Sequence, residues 1–283
     1  MTLGRGRRAV SAAFVVACAA AVVLAVVPLV LVLGFVVGRG VQALNADFFT
    51  RLPQPVGEAG GGMANAILGT LTLATLAAAM AVPIGVGTGL YLSEHSGRPF
   101  ASLVRFAADT LNGVPSIVIG VFAYAVAVLP FQRFSALAGG FALGVMMIPI
   151  VARTTEELLL LVPESLREGA LALGATRGRA MLGVVLPAAL PGVVTAVVLA
   201  LARVAGETAP LLFTSFNNRF FATSLTEPTS SLTVQVFTYA ISPYEDWHRQ
   251  AWAGALVLIV MVFGCSLLAR LTTRRLERMH RGG

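Results

Sequence analysis

The sequence predicts an all-α, polytopic membrane protein with six transmembrane helices. Two features of composition support this class: 57% of the 283 residues are apolar and only 12% are charged. Soluble domains carry about twice that charged fraction, so too few charges remain to cover a water-exposed surface. The third observation is a series of long apolar windows, because one membrane-spanning helix needs about 20 such residues. A spanning chain must pair its backbone groups internally, which a helix does.

Charge-free windows define the six predicted spans. They cover residues 12–38, 63–93, 110–132, 134–152, 180–202 (with an extension through 216 left open) and 250–269. The membrane domain is thus expected over residues 12–270, between an N-terminal tail (1–11) and a basic C-terminal tail (271–283). The basic start and the apolar run before Cys18 imitate a lipoprotein signal. Because the run continues to Gly38 without a charge, we interpret it as an uncleaved first helix.

The arginines predict the orientation of the chain. The net charge is +7, all 20 basic residues are arginine, and no lysine is present. Five arginines fall on one side of the predicted spans, Arg203 falls within a span, and 14 fall on the side of the termini: Arg5, Arg7, Arg8, Arg98, Arg105, Arg153, Arg167, Arg177, Arg179, Arg270, Arg274, Arg275, Arg278 and Arg281. Because cytoplasmic segments retain positive charge, both termini are expected in the cytoplasm.

A spaced motif lies in and after the long cytoplasmic loop, residues 153–180. Glu168-Gly169-Ala170 is followed by three residues and then Gly174. After nine further residues come Val184, one residue, and Leu186-Pro187. This pattern resembles the EAA loop of ABC-importer permeases, which reads Glu-Ala-Ala, three residues, Gly, nine residues, Ile, one residue, Leu-Pro. Gly169 stands for the first Ala and Val184 for the Ile. Composition alone favours an ordinary basic loop with an interfacial helix, and it is the spacing that favours the motif.

The resemblance implies the fold of a type I ABC-importer permease with a coupling loop at about 153–187. In that family the Glu of the motif and its short helix dock into a cleft of an ATPase. The implied coupling residues are Glu168, Gly169, Ala170, Gly174, Leu186 and Pro187. Small side chains permit close docking, glycine commonly ends a helix, and proline is tolerated in a first helical turn. We therefore expect Gly174 to end the short helix and Leu186-Pro187 to start the next span.

The energy source is expected on another polypeptide. A phosphate loop for nucleotide binding requires a lysine, and this chain has none. ATP-Mg is therefore assigned to a partner ATPase, and no cofactor or metal is expected on this chain.

Arg203 and Glu207 are charged residues within an otherwise apolar segment. Arg203 lies 16 residues beyond Pro187, roughly 24 Å along a helix, and Glu207 follows at the i+4 position of the same face. Ionisable groups inside a span are costly and suggest a function. Two interpretations remain open: an internal Arg–Glu pair that neutralises both charges, or an arginine that contacts a translocating oxyanion while the carboxylate weakens its hold.

Two segments extend the resemblance to the phosphate-specific transport (Pst) permeases. They are residues 203–214, with Gly206 and Pro210 weakening the helix around Glu207, and residues 109–120. The polar residues Thr208, Asn112 and Ser116 are candidates for lining a substrate pathway. Polar packing between helices is the alternative for Asn112 and Ser116.

The family implies a permease subunit of an ATP-driven phosphate importer in the bacterial cytoplasmic membrane. Its implied partners are a homologous second permease, an ATPase dimer, an extracytoplasmic phosphate-binding protein and membrane lipid, with no nucleic acid. One alternative is another oxyanion, such as sulfate, molybdate or phosphonate. The other is a membrane enzyme acting on lipid or a phosphorylated substrate, which would use the inner-face carboxylates Glu156, Glu157, Glu164 and Glu168. No histidine partner accompanies them in the loop.

Overall fold

The computed structural model describes residues 4–56, 58 and 60–281, and this part of the chain is helical without a β-strand. The helices in chain order are α1 (Arg5–Gly40), α2 (Ala46–Thr50), α3 (Ala64–Glu94), α4 (Pro99–Gly113), α5 (Ser116–Ala123), α6 (Ala136–Leu160), α7 (Glu164–Ala172), α8 (Arg177–Ala180), α9 (Leu186–Ala205), α10 (Ala209–Thr214), α11 (Leu232–Ala240) and α12 (Glu245–Arg281). A 3₁₀ turn covers Val41–Ala43, and π-helical stretches cover Tyr124–Val128 and Met181–Val185.

Five of the six predicted spans are confirmed as single helices of sufficient length and apolarity. These are Ala9–Ala43, Ala64–Glu94, Ala136–Leu160, Arg177–Ala205 and Glu245–Leu267. The helix Ala136–Leu160, at the predicted span 134–152, extends two turns beyond residue 152. The last helix continues through much of the predicted basic tail, residues 271–283, but the side chains of 272–281 and residues 282–283 lie outside the described part. Residues 1–3 of the N-terminal tail lie outside it as well.

The prediction of one continuous third span over residues 110–132 is wrong. Helix α4 ends at Gly113, and α5 begins at Ser116 with a bend of 105° between the two helical segments. Val114 is extended, with φ −71° and ψ 130°, which is the conformation that a following proline imposes. Pro115 therefore sets the break. The described part of the chain reaches a total of six spans only if the bent pair is counted as one.

The start of the fifth span also differs from the prediction. The helix begins at Arg177, so Leu186 and Pro187 lie inside it and do not start it. A proline inside a helix has no N–H to donate and clashes with the carbonyl one turn earlier. The π-helical stretch Met181–Val185 ends two residues before Pro187 and widens the helix in the preceding turn. The extension through residue 216 is not continuous, because α9 ends at Ala205.

The core lies where α3, α6, α9 and α10 pack together. Leu73, Met147, Val151, Val204 and Leu211 are all at most 2% exposed in one contiguous apolar cluster. Helix α1 lies outside it and contacts mainly α12, where the Phe35 and Trp252 rings pack edge to face at 5.0 Å. Most α1 side chains are exposed, which is favourable in a lipid environment.

Candidate functional site

Two interrupted helices meet beside the predicted substrate segment. Helix α9 ends at Ala205, and α10 starts at Ala209. Helix α5, which follows the break at Val114-Pro115, packs against α10. A Cβ atom added to Gly120 would lie 2.7 Å from the Cα of Pro210, so the backbones approach too closely for any side chain there. The fold thus joins segments 109–120 and 203–214, which the sequence had singled out separately.

Arg203 and Glu207 are not paired in this structure. Arg203 lies in the last turn of α9 and is exposed, whereas Glu207 lies beyond the end of that helix and is half-buried. Among the described residues, Arg203 and Glu207 do not form an ion pair with each other. The predicted i+4 relationship is therefore wrong, because the helix ends before it reaches Glu207. The interpretation as an internal neutralising pair loses its geometric basis, and the guanidinium is accessible.

The backbone at this break is stabilised from a neighbouring helix. Thr233 in the first turn of α11 donates its hydroxyl to the Glu207 carbonyl at 2.9 Å. The Thr208 carbonyl accepts from the N–H groups of Leu211 and Leu212. Thr214 is fully buried and donates its hydroxyl to the Pro210 carbonyl at 2.7 Å, so it supports the turn. Irregular backbone within a membrane domain is tolerated where protein or a cavity satisfies it.

Asn112 and Ser116 flank the bend between α4 and α5. Asn112 is the penultimate residue of α4 and is exposed, and Ser116 is the first residue of α5 and is half-buried. Together with Thr208 they place neutral hydrogen-bonding groups at the two helix breaks. These groups can offer amide and hydroxyl contacts to a polar substrate, and Arg203 supplies a cation in the last turn of α9.

Sequence reasoning missed a buried charge cluster between α4 and α6. The Glu156 side chain is only 3% exposed and accepts from Arg105 Nε at 2.6 Å and Arg153 Nη1 at 2.5 Å. Arg153 Nε also donates to Asp109 at 2.9 Å. Arg105 further donates to the carbonyls of Leu92 and Ser96, both at 3.0 Å. The cluster fastens α4 to the end of α3 and to α6.

This cluster corrects two expectations about its members. Glu156 was predicted to lie in a cytoplasmic loop, but its partners allow α6 to continue to Leu160. Glu156 is buried and held by two guanidinium groups, so it does not line an open site at the membrane face as the membrane-enzyme alternative expected. The signal in the sequence was the spacing of opposite charges: Arg105 and Asp109 four residues apart, and Arg153 and Glu156 three apart, are neighbours on their helices.

The coupling motif forms a short helix on the surface. Glu168 and Gly169 in α7 are exposed, and Ala170 is half-buried. A Cβ atom added to Gly169 would meet nothing within 4 Å, so the fold of this chain does not require a small residue there. Three leucines on or just after α7 are also exposed: Leu166 by 45%, Leu171 by 38% and Leu173 by 91%. The face is open and partly apolar.

Gly174 ends α7, as predicted. Its φ of +86° is the left-handed conformation that glycine adopts without strain. The Gly174 N–H donates to the Leu171 carbonyl at 2.9 Å, and the Ala175 N–H to the Ala170 carbonyl at 3.1 Å. These two bonds form a Schellman motif, which caps the free carbonyls of the helix.

Two links connect α7 to the membrane helices. Arg167 in α7 pairs with Glu94 at the end of α3 at 3.2 Å. After Gly174, Thr176 accepts from the Arg179 N–H and caps the helix that runs through to Ala205. This helix rises about 1.5 Å per residue, so it spans roughly 40 Å from Arg177 to Arg203. One helix therefore joins the coupling motif to the candidate substrate segment.

A family model and curated relatives match most of this chain. Residues 81–281 match the family described as "Binding-protein-dependent transport system inner membrane component". The phosphate transport system permease protein PstA of Yersinia pestis is 43% identical over 86% of this chain and 82% of its own length. PstA of Haemophilus influenzae is 43% identical over 82% and 83%. PstA 1 of Mycobacterium tuberculosis strain H37Rv is 37% identical over 87% and 82%.

Solved structures show the same fold. A bacterial alginate ABC transporter, solved with an alginate pentasaccharide-bound periplasmic protein, has a chain that aligns with a TM-score of 0.65 and 15% identity, over 91% of this chain and 94% of that one. A chain of the inward-facing MetNI methionine ABC transporter aligns at 0.63 with 22% identity, over 76% and 95%. This chain therefore belongs to the inner-membrane components of binding-protein-dependent transport systems, within the group of the PstA permeases.

Proposed function

We propose that this chain is the membrane-spanning permease subunit of an ATP-driven importer of inorganic phosphate. The observation that carries the proposal is the close packing of α5 and α10 at Gly120 and Pro210, because each of these helices follows a break, at residues 114–115 and 206–208. The exposed Arg203 lies in the last turn before the second break. Transporters commonly bind substrate where discontinuous helices leave backbone groups and helix ends facing a cavity. The PstA relatives supply the substrate class.

Arg203 is the group we assign to the anion. Its guanidinium is permanently charged and offers several N–H donors in a planar fork that suits phosphate oxygens. It is exposed and has no carboxylate partner within the described part of the chain. The Glu207 carboxylate beyond the break repels an anion and so limits how tightly Arg203 holds it. Such a limit is required because the anion must be released. Asn112, Ser116 and Thr208 supply neutral contacts.

We assign ATP hydrolysis to a separate ATPase that docks on α7 through Glu168, Gly169 and Ala170. The exposed leucines of α7 offer an apolar contact area, and the long helix from Arg177 to Ala205 carries movement of the coupling motif towards Arg203. Closure of an ATPase dimer would thus change access to the anion site. On this proposal the chain binds neither ATP-Mg nor another cofactor and catalyses no bond change.

The proposed assembly contains a homologous second permease, the ATPase dimer and an extracytoplasmic phosphate-binding protein. The likeness to a transporter solved with its periplasmic protein is consistent with this composition. The arginine distribution supports an orientation with both termini and α7 in the cytoplasm. Lipid covers the exposed apolar surface of α1.

Uptake by the reconstituted transporter tests the substrate. Proteoliposomes containing the complete transporter and ATP would receive the binding protein with labelled phosphate, sulfate or molybdate. We expect phosphate to accumulate at least tenfold faster than sulfate or molybdate. Robust sulfate uptake with a negligible phosphate signal would establish the alternative oxyanion and overturn the proposed substrate.

A further inference from the structure

A cavity of about 510 Å³ lies at the end of the molecule that carries α7. Its walls come from the last turn of α3, the following loop to Arg98, and the first turns of the helix that starts at Arg177. Both helices are membrane-spanning candidates, and each begins or ends at this cavity. The cavity is therefore placed where a bilayer changes from its apolar interior to its headgroups.

The polar rim of the cavity has unbalanced positive charge. Arg98 and Arg177 are exposed, and neither forms an ion pair within the part of the chain that the structure describes. Glu94 is the acidic residue that lines the cavity, and it is already paired with Arg167 at 3.2 Å. Neither guanidinium group is thus held by a carboxylate of the described residues, although Arg177 also borders an adjoining cavity that Glu164 and Glu168 line.

Much of the remaining lining is apolar. Met181 and Leu182 follow Arg177 by about one turn of the same helix, and Leu182 is 61% exposed. On the other side, the Tyr91 ring stacks with His95 at 4.6 Å and meets Phe100 of α4 edge to face at 5.9 Å. A ligand that fits this cavity has an anionic group at the rim and an apolar group beneath it.

The neighbouring surface of α4 also has exposed apolar side chains. Phe100, Leu103 and Phe106 recur every three residues and are exposed by 61%, 61% and 70%. This spacing places them on one side of the helix, while Arg105 holds the helix to Glu156. An amphipathic helix with such an exposed stripe lies favourably at a membrane surface, and Phe100 connects the stripe to the cavity.

We propose that this cavity binds an anionic phospholipid, with its phosphate between Arg98 and Arg177 and its acyl chains along Met181 and Leu182. Basic pockets between transmembrane helices are known sites for anionic headgroups. Inorganic phosphate would use the arginines but would leave the apolar wall uncovered. The site depends on the membrane location of the chain and does not depend on which oxyanion is transported.

Native mass spectrometry of the complete transporter tests this site. The transporter would be released from nanodiscs containing equal amounts of phosphatidylglycerol and phosphatidylcholine, and the retained lipid would be counted. We expect one tightly retained phosphatidylglycerol per copy of this chain. The double variant Arg98→Gln/Arg177→Gln should weaken retention about thirtyfold, from the contribution of two arginines near an anionic surface. A matched control, Arg39→Gln/Arg133→Gln, removes the same charge at the opposite ends of the spans and should retain the lipid.

A variant that fills the cavity provides a second test without a change of charge. Gly178 lines the cavity, and a Cβ atom added there meets nothing within 4 Å, so Gly178→Phe adds an aromatic side chain to the cavity wall. We expect it to reduce phosphatidylglycerol retention at least tenfold while the complex stays assembled. Equal retention of both lipids by the unaltered transporter would overturn the proposal. So would displacement by millimolar inorganic phosphate, or binding that appears only after the ATPase is removed.

Discussion

Arg203 is the residue that we propose to contact the substrate anion. The change Arg203→Gln keeps hydrogen-bonding capacity but removes the positive charge. Because Arg203 is exposed and makes no ion pair within the described part of the chain, the complex should assemble at normal levels. We expect ATP-dependent phosphate uptake to fall at least tenfold, since one charge-assisted contact contributes roughly 1.5–3 kcal/mol.

The control for this substitution is Arg133→Gln, an exposed arginine in the connection before α6. It should transport phosphate at the normal rate. Normal uptake by the Arg203→Gln variant would remove Arg203 from the substrate pathway.

Glu156 is expected to act on stability. Replacing it with glutamine leaves Arg105 and Arg153 near each other without a shared carboxylate. Breaking a fully buried pair costs about 3–5 kcal/mol, but these arginine side chains are 21% and 26% exposed. We therefore expect a loss of about 2 kcal/mol, measured as a lower unfolding temperature of the purified protein. Glu157→Gln, at the exposed neighbouring position, should change little, and equal effects of the two substitutions would contradict the role of the cluster.

At the scale of elements, α7 depends on the left-handed turn at Gly174. A valine at this position would be strained by roughly 1–2 kcal/mol, because its side chain crowds the following carbonyl. We expect Gly174→Val to disturb the end of α7 and to lower the amount of ATPase that copurifies with the chain severalfold. Gly87→Ala in α3 is the comparison, since a Cβ atom there meets nothing within 4 Å. Unchanged copurification in the valine variant would argue against α7 as the docking element.

Charge reversal on α7 tests the same element without altering its backbone. Glu168 is exposed, so Glu168→Lys should leave the folding stability within about 0.5 kcal/mol of its original value. We expect loss of ATPase binding, or ATP hydrolysis that no longer responds to the loaded binding protein. The same reversal at Glu157, outside the motif, should preserve coupling. If Glu168→Lys also preserves it, the assignment of the docking residue fails.

The elements show which structural features could be predicted from the sequence. Apolar length identified five spans, because membrane insertion depends on length and composition in one stretch of chain. Local chemistry identified the end at Gly174. It indicated a weakened helix around Glu207, from Gly206 and Pro210, but did not predict that α9 ends at Ala205. Two further features were not predicted: the bend between α4 and α5, which follows from the extended conformation of Val114 before Pro115, and the inclusion of Pro187 within a helix, which a π-helical stretch accompanies. The pairing of Glu156 with Arg105 joins residues 51 positions apart, which no local pattern specifies.

For the whole molecule, the structure connects two sites that the sequence placed far apart. The long helix from Arg177 to Ala205 begins after the coupling motif and ends at the break beside Glu207. The Arg167–Glu94 pair and the Glu156 cluster fasten α7, α4 and α6 around the same end of the bundle. A single continuous helix thus runs from the residue three positions after Gly174 to the candidate substrate segment.

The decisive measurement for this chain is phosphate accumulation against a gradient by the complete transporter in proteoliposomes. With the loaded binding protein outside and ATP inside, we expect internal phosphate to rise above the external concentration, because ATP hydrolysis by the partner drives the permease. Removing the ATPase, or replacing ATP with a non-hydrolysable analogue, should abolish accumulation. Accumulation that continues without ATP hydrolysis, or its absence from the complete system, would contradict the proposal that this chain is the permease of an ATP-driven phosphate importer.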